Sequence, residues 1–210
     1  ALVDALSRLD DPPPVLLLSS LAASKPVVSD YANSKFQGEE VLKGHSNICW
    51  TVLRPPAVYG PGDKEMLPIL KMARRGFLVH AGPHYQRISL VHVDDLVEAI
   101  SVWLSAPQIC QHGTFYIDDG TPGGYDWGAI AEAVSEGKFQ IMKLPGFLLN
   151  GTAKLNLLLS KLFGYSPMLS PGKARELQQQ EWVRDSRSFT KLTGWKPHLN
   201  LKQGAQQLFG

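Results

Sequence analysis

Tyr31-Ala32-Asn33-Ser34-Lys35, reached through Ser19-Ser20-Leu21-Ala22-Ala23, decides how this chain is read. Asp30 is placed to cap a helix, and Tyr31, Phe36, Val41 and Leu42 carry a helical pattern to Lys43, with Gly44 as its stop. Side chains four apart share a helix face, so the Tyr31 phenol and the Lys35 ammonium project side by side. An isolated phenol is a poor acid or base at neutral pH. A neighbouring cation favours its ionised form, which is what proton transfer requires. A serine hydroxyl at a nearby strand end can then orient a substrate oxygen against the phenol. On its own, a Tyr and a Lys at this spacing also describe a ring at a core edge beside a solvated ammonium. The flanking segments decide between the two.

Before the pair, Val15–Leu18 is a short aliphatic run, and residues 48–53 are another. Both suit parallel strands buried on two faces, with the 31–43 helix as a right-handed crossover. Pro55-Pro56 ends the second strand, since proline cannot donate to a sheet ladder. Residues 59–63 are a turn, 64–75 a helix stopped by Gly76, 80–87 a polar loop, and 88–91 a short extended segment. Residues 93–105 repeat at helical period, with Asp94 and Asp95 in the first turn, where the helix dipole favours anions. Residues 114–117 form a further strand.

After Asp118 the texture changes to a Gly-rich loop, a helix over 126–136, a strand over 139–144 and a strongly apolar helix over 147–163. Another helix covers 171–180, and a turn at 192–197 precedes a last short helix. The division is residues 1–118 as one part and 119–210 as a smaller, mainly helical lobe. Asn150, Gly151, Lys154 and Asn156 interrupt the apolar helix, which favours packing or cavity lining over membrane contact.

Composition narrows the class. A chain of 210 residues with 44% hydrophobic and 19% charged residues builds an ordinary globular core. A net charge of +2 gives no reason to invoke nucleic acid. Cys49 and Cys110 lack metal-ligand spacing, so no metal is expected, and free thiols point to a reducing, cytoplasmic setting. No run is long enough to span a membrane, and no G-x-S-x-G elbow is present.

The ordered set of strand, Ser19-Ser20, Tyr/Lys helix, second strand and Leu53-Arg54-Pro55-Pro56-Ala57-Val58-Tyr59-Gly60 resembles the extended short-chain dehydrogenase/reductase superfamily, the NAD-dependent epimerase/dehydratase-like enzymes. The resemblance implies an α/β fold, a Rossmann-like doubly wound parallel sheet with a small substrate lobe. It covers only the later part of that fold. No glycine-rich phosphate loop precedes Tyr31, so the chain reads as N-terminally truncated, with on the order of a hundred residues absent, and inactive alone.

The resemblance further implies Ser20, Tyr31 and Lys35 as catalytic residues, with Ser19 competing for the serine role, and NAD or NADP as cofactor. Lys35 also contacts the nicotinamide ribose, and Pro55, Pro56, Ala57 and Val58 line the nicotinamide ring. Hydride passes between nicotinamide and a carbinol or carbonyl carbon, with Tyr31 as acid/base. A non-catalytic dinucleotide-binding scaffold is the alternative.

Tyr59, Arg87 and His92 are substrate-side candidates. Arg87 stands five residues before His92, where the family's R-x-x-x-H/Y-V-x-D signature has its arginine four before. That offset turns an extended side chain to the opposite face. The substrate is therefore expected to be a small molecule other than a nucleotide sugar. His92 is read as a structural hydrogen-bonding histidine, and a homodimer is left open.

Overall fold

The computed structural model describes residues 2–165, 167 and 169–210. A short helix α1 (Leu2–Leu6) leads to β1 (Val15–Leu18), a 3-10 turn (Leu21–Ser24), α2 (Asp30–Lys43) and β2 (Trp50–Arg54). There follow β3 (Ala57–Tyr59), α3 (Met66–Arg74), β4 (Phe77–His80), β5 (Arg87–Ile88), β6 (Leu90–His92), α4 (Val93–Ser105) and, after a second 3-10 turn, β7 (Gly113–Tyr116). The remainder holds α5 (Trp127–Val134), β8 (Gln140–Lys143), α6 (Gly146–Phe163), α7 (Pro171–Leu177), β9 (Glu181–Trp182), α8 (Arg187–Thr193) and α9 (Leu201–Phe209).

β1, β2 and β7 form a parallel sheet in that order, with Leu18 beside Leu53 and Leu53 beside Phe115. The first four residues of β2 are buried, as expected of a central strand covered on both faces. β1 is an edge of this sheet, and its last residue, Leu18, is exposed. Three parallel pairs extend the architecture: β3 with β6, β4 with β8, and β5 with β9. This α/β arrangement with crossover helices is Rossmann-like.

Two apolar clusters hold the elements together. Leu53, Val91, Leu96, Trp103 and Phe115 pack with Phe189 and Trp195, which arrive from the end of the chain. Tyr59, Leu70, Leu78 and Leu90 pack with Trp127, Ile130 and Leu201. Residues beyond 118 thus contribute to both clusters.

The structure revises several local expectations. The segment read as a polar loop from residue 80 begins inside β4, whose Leu78 and His80 are buried. The extended run at 88–91 is split between β5 and β6, which pair with different partners. α8 had no counterpart in the sequence reading. Gly76 does stop α3, at a φ of 79° that side-chain-bearing residues rarely adopt.

Candidate active site

Helix α2 is capped by Ser29 rather than by Asp30: the Ser29 hydroxyl accepts from the Ala32 amide at 3.0 Å. The helix therefore starts at Asp30, and Tyr31 lies in its first turn. Tyr31 is half-exposed, and among the described residues no protein group hydrogen-bonds its hydroxyl. The Lys35 ammonium lies 5.8 Å from the centre of the Tyr31 ring. Its Nζ donates to the Leu18 carbonyl at 3.4 Å, which fixes it at the carboxyl end of β1. In open parallel sheets, ligands settle at the carboxyl ends of the strands. Lys35 keeps further N–H donors for a bound group.

The two serines divide. Ser19 is buried, and its hydroxyl donates to Glu39 Oε1 at 2.5 Å. The Ser20 hydroxyl accepts from the Ala22 amide at 3.2 Å, capping the 3-10 turn and leaving its own proton free to donate. Only Ser20 of the two has a hydroxyl hydrogen available to a substrate oxygen.

Behind Ser19 lies a polar cluster that sequence reading missed. Glu39 is completely buried, and Arg54 grips it from Nε at 2.9 Å and from Nη2 at 2.6 Å. Arg54 Nη1 also donates to the Tyr116 hydroxyl at 2.9 Å, and Lys43 lies 3.3 Å from Glu39. Burial pushes the Glu39 carboxyl up, but the Arg54 and Ser19 hydrogen bonds and the charges of Arg54 and Lys43 outweigh it and hold the carboxyl below its ordinary range. One signal was legible: Tyr31, Lys35, Glu39 and Lys43 recur every four residues along one face of α2.

The nicotinamide-side candidates follow β2. The Pro55 carbonyl accepts from the Leu21 amide at 2.8 Å, which ties the end of β2 to the 3-10 turn after β1. Pro56 is half-buried, and Ala57 and Val58 pair with Leu90 and Val91 in the β3–β6 ladder. Tyr59 is fully buried, and its hydroxyl donates to the Asn200 carbonyl at 3.2 Å. Burial, reinforced by Asp119, Tyr125 and Asp95, raises its pKa. It is a core residue.

His92 is buried and caps α4, with Nδ1 accepting from the Asp94 amide at 3.3 Å and its ring edge-on to Tyr59. Its Nε2 has no hydrogen-bond partner among the described residues. Arg87 points outward while Ile88 points inward, as the register offset requires. Arg87 reaches the Gly123 carbonyl at 3.4 Å and Asp126 at 3.6 Å. Asp95, expected to serve its own helix dipole, instead accepts from the His198 and Leu199 amides at 3.0 Å each.

A second set, also missed, joins α7 to α2 and α3. The Ser29 hydroxyl donates to Glu176, Arg175 Nε donates to the Val28 carbonyl at 2.7 Å, and Lys173 bonds Glu65 at 2.8 Å. Burial lowers the Lys173 pKa, but the Glu65 bond, with Glu65, Glu176 and the Tyr31 phenol nearby, leaves it above the ordinary lysine value. These partners lie more than a hundred residues apart, so periodicity could not reveal them.

Among the described residues no group of His, Cys, Asp or Glu could hold a metal ion, and Cys49 and Cys110 are free. Residues 14–117 match the NAD dependent epimerase/dehydratase family. A ceramide reductase of Caulobacter vibrioides is 32% identical over 81% of this chain and 54% of its own length. A 3beta-hydroxysteroid-dehydrogenase/decarboxylase of Arabidopsis thaliana is 26% identical over 84% of this chain and 44% of its own. The chain spans about half the length of these curated relatives. Among solved structures, the human epimerase family protein SDR39U1 with NADPH superposes at a TM-score of 0.68, with 18% identity over 99% of this chain and 69% of that one. A dTDP-glucose 4,6-dehydratase of Bacillus anthracis in complex with NAD gives 0.69 at 14% identity, over 99% and 63%. By its parallel α/β core and the family match over residues 14–117, the chain belongs to the NAD-dependent epimerase/dehydratase family.

Proposed function

We propose that these residues form the proton-transfer half of an NAD(P)-dependent oxidoreductase or epimerase site. The observation that carries this reading is Tyr31 beside Lys35: a half-exposed phenol with an unengaged hydroxyl, and an ammonium tethered to the end of β1 with donors to spare. Those donors suit a ribose, and the half-buried Pro56 with Ala57 and Val58 suits a flat ring, so the residues present fit a nicotinamide nucleoside. When bound, the nicotinamide supplies or takes up a hydride. Tyr31 exchanges a proton with the substrate oxygen through its hydroxyl. Lys35 holds the ribose and places a positive charge beside the phenol. Ser20 donates to the same substrate oxygen and fixes its orientation.

The substrate we propose is an apolar carbinol or carbonyl compound rather than a nucleotide sugar. Arg87, the nearest candidate for a diphosphate grip, lies on the outside against Asp126. The relatives named for ceramide and hydroxysteroid chemistry act on lipids, which supports this class. This chain spans only about half of each matched relative, so activity is assigned to the whole protein.

Steady-state kinetics in that protein test the reading. Tyr31→Phe abolishes turnover with cofactor affinity nearly unchanged, and Lys35→Met impairs both. Equal turnover of wild type and Tyr31→Phe on a confirmed substrate would refute it in favour of a non-catalytic dinucleotide-binding scaffold.

A further inference from the structure

Helix α6 carries an apolar face that nothing among the described residues covers. Leu149, Ala153 and Ser160 turn inward, and Leu149 and Ala153 pack with Ala174. On the opposite side Phe147 is 75% exposed, Leu155 and Leu158 57% each, and Leu162 70%, with Leu148 and Leu159 also exposed. At ~100° per residue, these six side chains fall on one stripe about 120° wide, running along a helix about 27 Å long. A contiguous apolar surface of this kind marks an interaction site.

The polar residues that interrupt the sequence of α6 do not interrupt this stripe. Asn156 Nδ2 donates to the Leu169 carbonyl at 3.0 Å, and Asn150 Oδ1 accepts from Gln178 at 3.2 Å. Both are spent on the lobe's own contacts, and Gly151 adds no polar group. The sequence expectation of packing or cavity lining rested on these interruptions, and their placement removes its basis.

Charge then selects the occupant. Lys154 and Lys161, next in sequence to Leu155 and Leu162, lie along one border of the stripe, and both are exposed. Neither forms an ion pair among the described residues. From Gly137 to Arg175 the chain holds no Asp or Glu, while Lys138, Lys143, Lys154 and Lys161 are all exposed. An apolar stripe edged by cations, on a helix lying along the protein surface, has the makeup of an interfacial helix. Leucine and phenylalanine enter the acyl boundary, and lysine stems reach up to anionic headgroups. No helix among the described residues is long and apolar enough to cross a membrane, so the contact is in-plane.

We propose that the outer face of α6 docks this protein on an anionic phospholipid bilayer, with the helix axis parallel to the surface. The proposal rests on this surface alone and stands apart from the Tyr31 chemistry.

Co-sedimentation of the purified chain with phosphatidylcholine vesicles, with and without phosphatidylglycerol, tests it. Binding is expected to anionic vesicles, to weaken with added salt, and to fall at least about tenfold on neutral ones. Leu155→Ser with Leu162→Ser is expected to lose about tenfold or more in affinity. Both sites are exposed, so unchanged circular dichroism and melting show that folding is intact. Lys154→Glu with Lys161→Glu, which leaves every apolar residue in place, is expected to weaken binding to anionic vesicles alone. Absence of vesicle binding, or binding that neither double variant changes, would overturn the proposal. So would a wild type that binds no vesicles and self-associates while the double-serine variant stays monomeric: the stripe would then be a subunit interface.

Discussion

Arg54 holds both oxygens of the buried Glu39 carboxylate, at 2.9 Å from Nε and 2.6 Å from Nη2. The contact ties α2, which carries Tyr31 and Lys35, to the central strand β2. Removing one partner of a buried, hydrogen-bonded ion pair leaves the other charge uncompensated. Glu39→Gln is therefore expected to cost about 3 kcal/mol in urea unfolding.

The same pair sets a pH dependence. The Glu39 carboxyl is held below its ordinary value in the folded chain. Its contribution is thus full above the unfolded glutamate pKa of about 4.3 and is lost as pH falls through the lower folded value. The stability difference between wild type and Glu39→Gln should be flat from neutral pH to about pH 5 and shrink in acid. Asp118 and Asp119, raised by burial, act in the opposite sense but are common to both proteins and cancel in the difference.

Ser19 and Ser20, adjacent in sequence, should separate cleanly. Ser19→Ala removes a buried hydrogen bond to a carboxylate and is expected to cost about 1.5–3 kcal/mol. Ser20→Ala loses a cap, about 0.5–1 kcal/mol, and on the proposed function should reduce turnover more than tenfold. Melting curves and initial rates on both variants check the assignment, and a Ser19→Ala with the larger rate defect would reverse it.

Asp95 anchors the segment before α9 through two backbone amides a hundred residues away. Asp95→Ala leaves both donors without their acceptor and is expected to cost about 2 kcal/mol. Asp95→Asn, which keeps one acceptor oxygen, should cost less. Denaturation followed by tryptophan fluorescence gives the comparison.

Two glycines in helices should respond oppositely to alanine. A Cβ at Gly204 of α9 would stand 2.4 Å from the Tyr59 hydroxyl and 2.7 Å from its ring, and that ring is fully buried. Gly204→Ala is expected to destabilise by about 1–3 kcal/mol. At Gly38 of α2 a Cβ meets nothing within 4 Å. Gly38→Ala should stabilise by about 0.5–1 kcal/mol, since helix propensity alone changes. Differential scanning calorimetry on both variants decides.

What the sequence disclosed was local. β1 and α4 have the bounds that apolar patterning indicated, and the Tyr/Lys spacing placed both side chains on one helix face. The outward turn of Arg87 followed from counting residues to His92. What stayed hidden depends on partners distant in the chain. Ser29 outcompetes Asp30 as the cap while its hydroxyl also serves Glu176, and the polar α2 residue Glu39 is buried because Arg54 waits on the neighbouring strand. The seven residues of α8 lack an apolar period: Phe189 alone of them is buried. Asp95 resembled any first-turn carboxylate until the 198–199 segment folded onto it.

The edge position of β1 has a consequence for amide hydrogen exchange. The Val15 and Ser19 amides bond to the Cys49 and Leu53 carbonyls of the neighbouring strand, each at 2.8 Å. With a two-residue period, the Leu16 and Leu18 amides point the other way, where no strand is paired among the described residues. Deuterium should therefore enter this strand at alternate residues, quickly at Leu16 and Leu18 and slowly at Val15 and Ser19. A further strand laid against that edge, from this protein or another, would announce itself as protection gained at Leu16 and Leu18 alone.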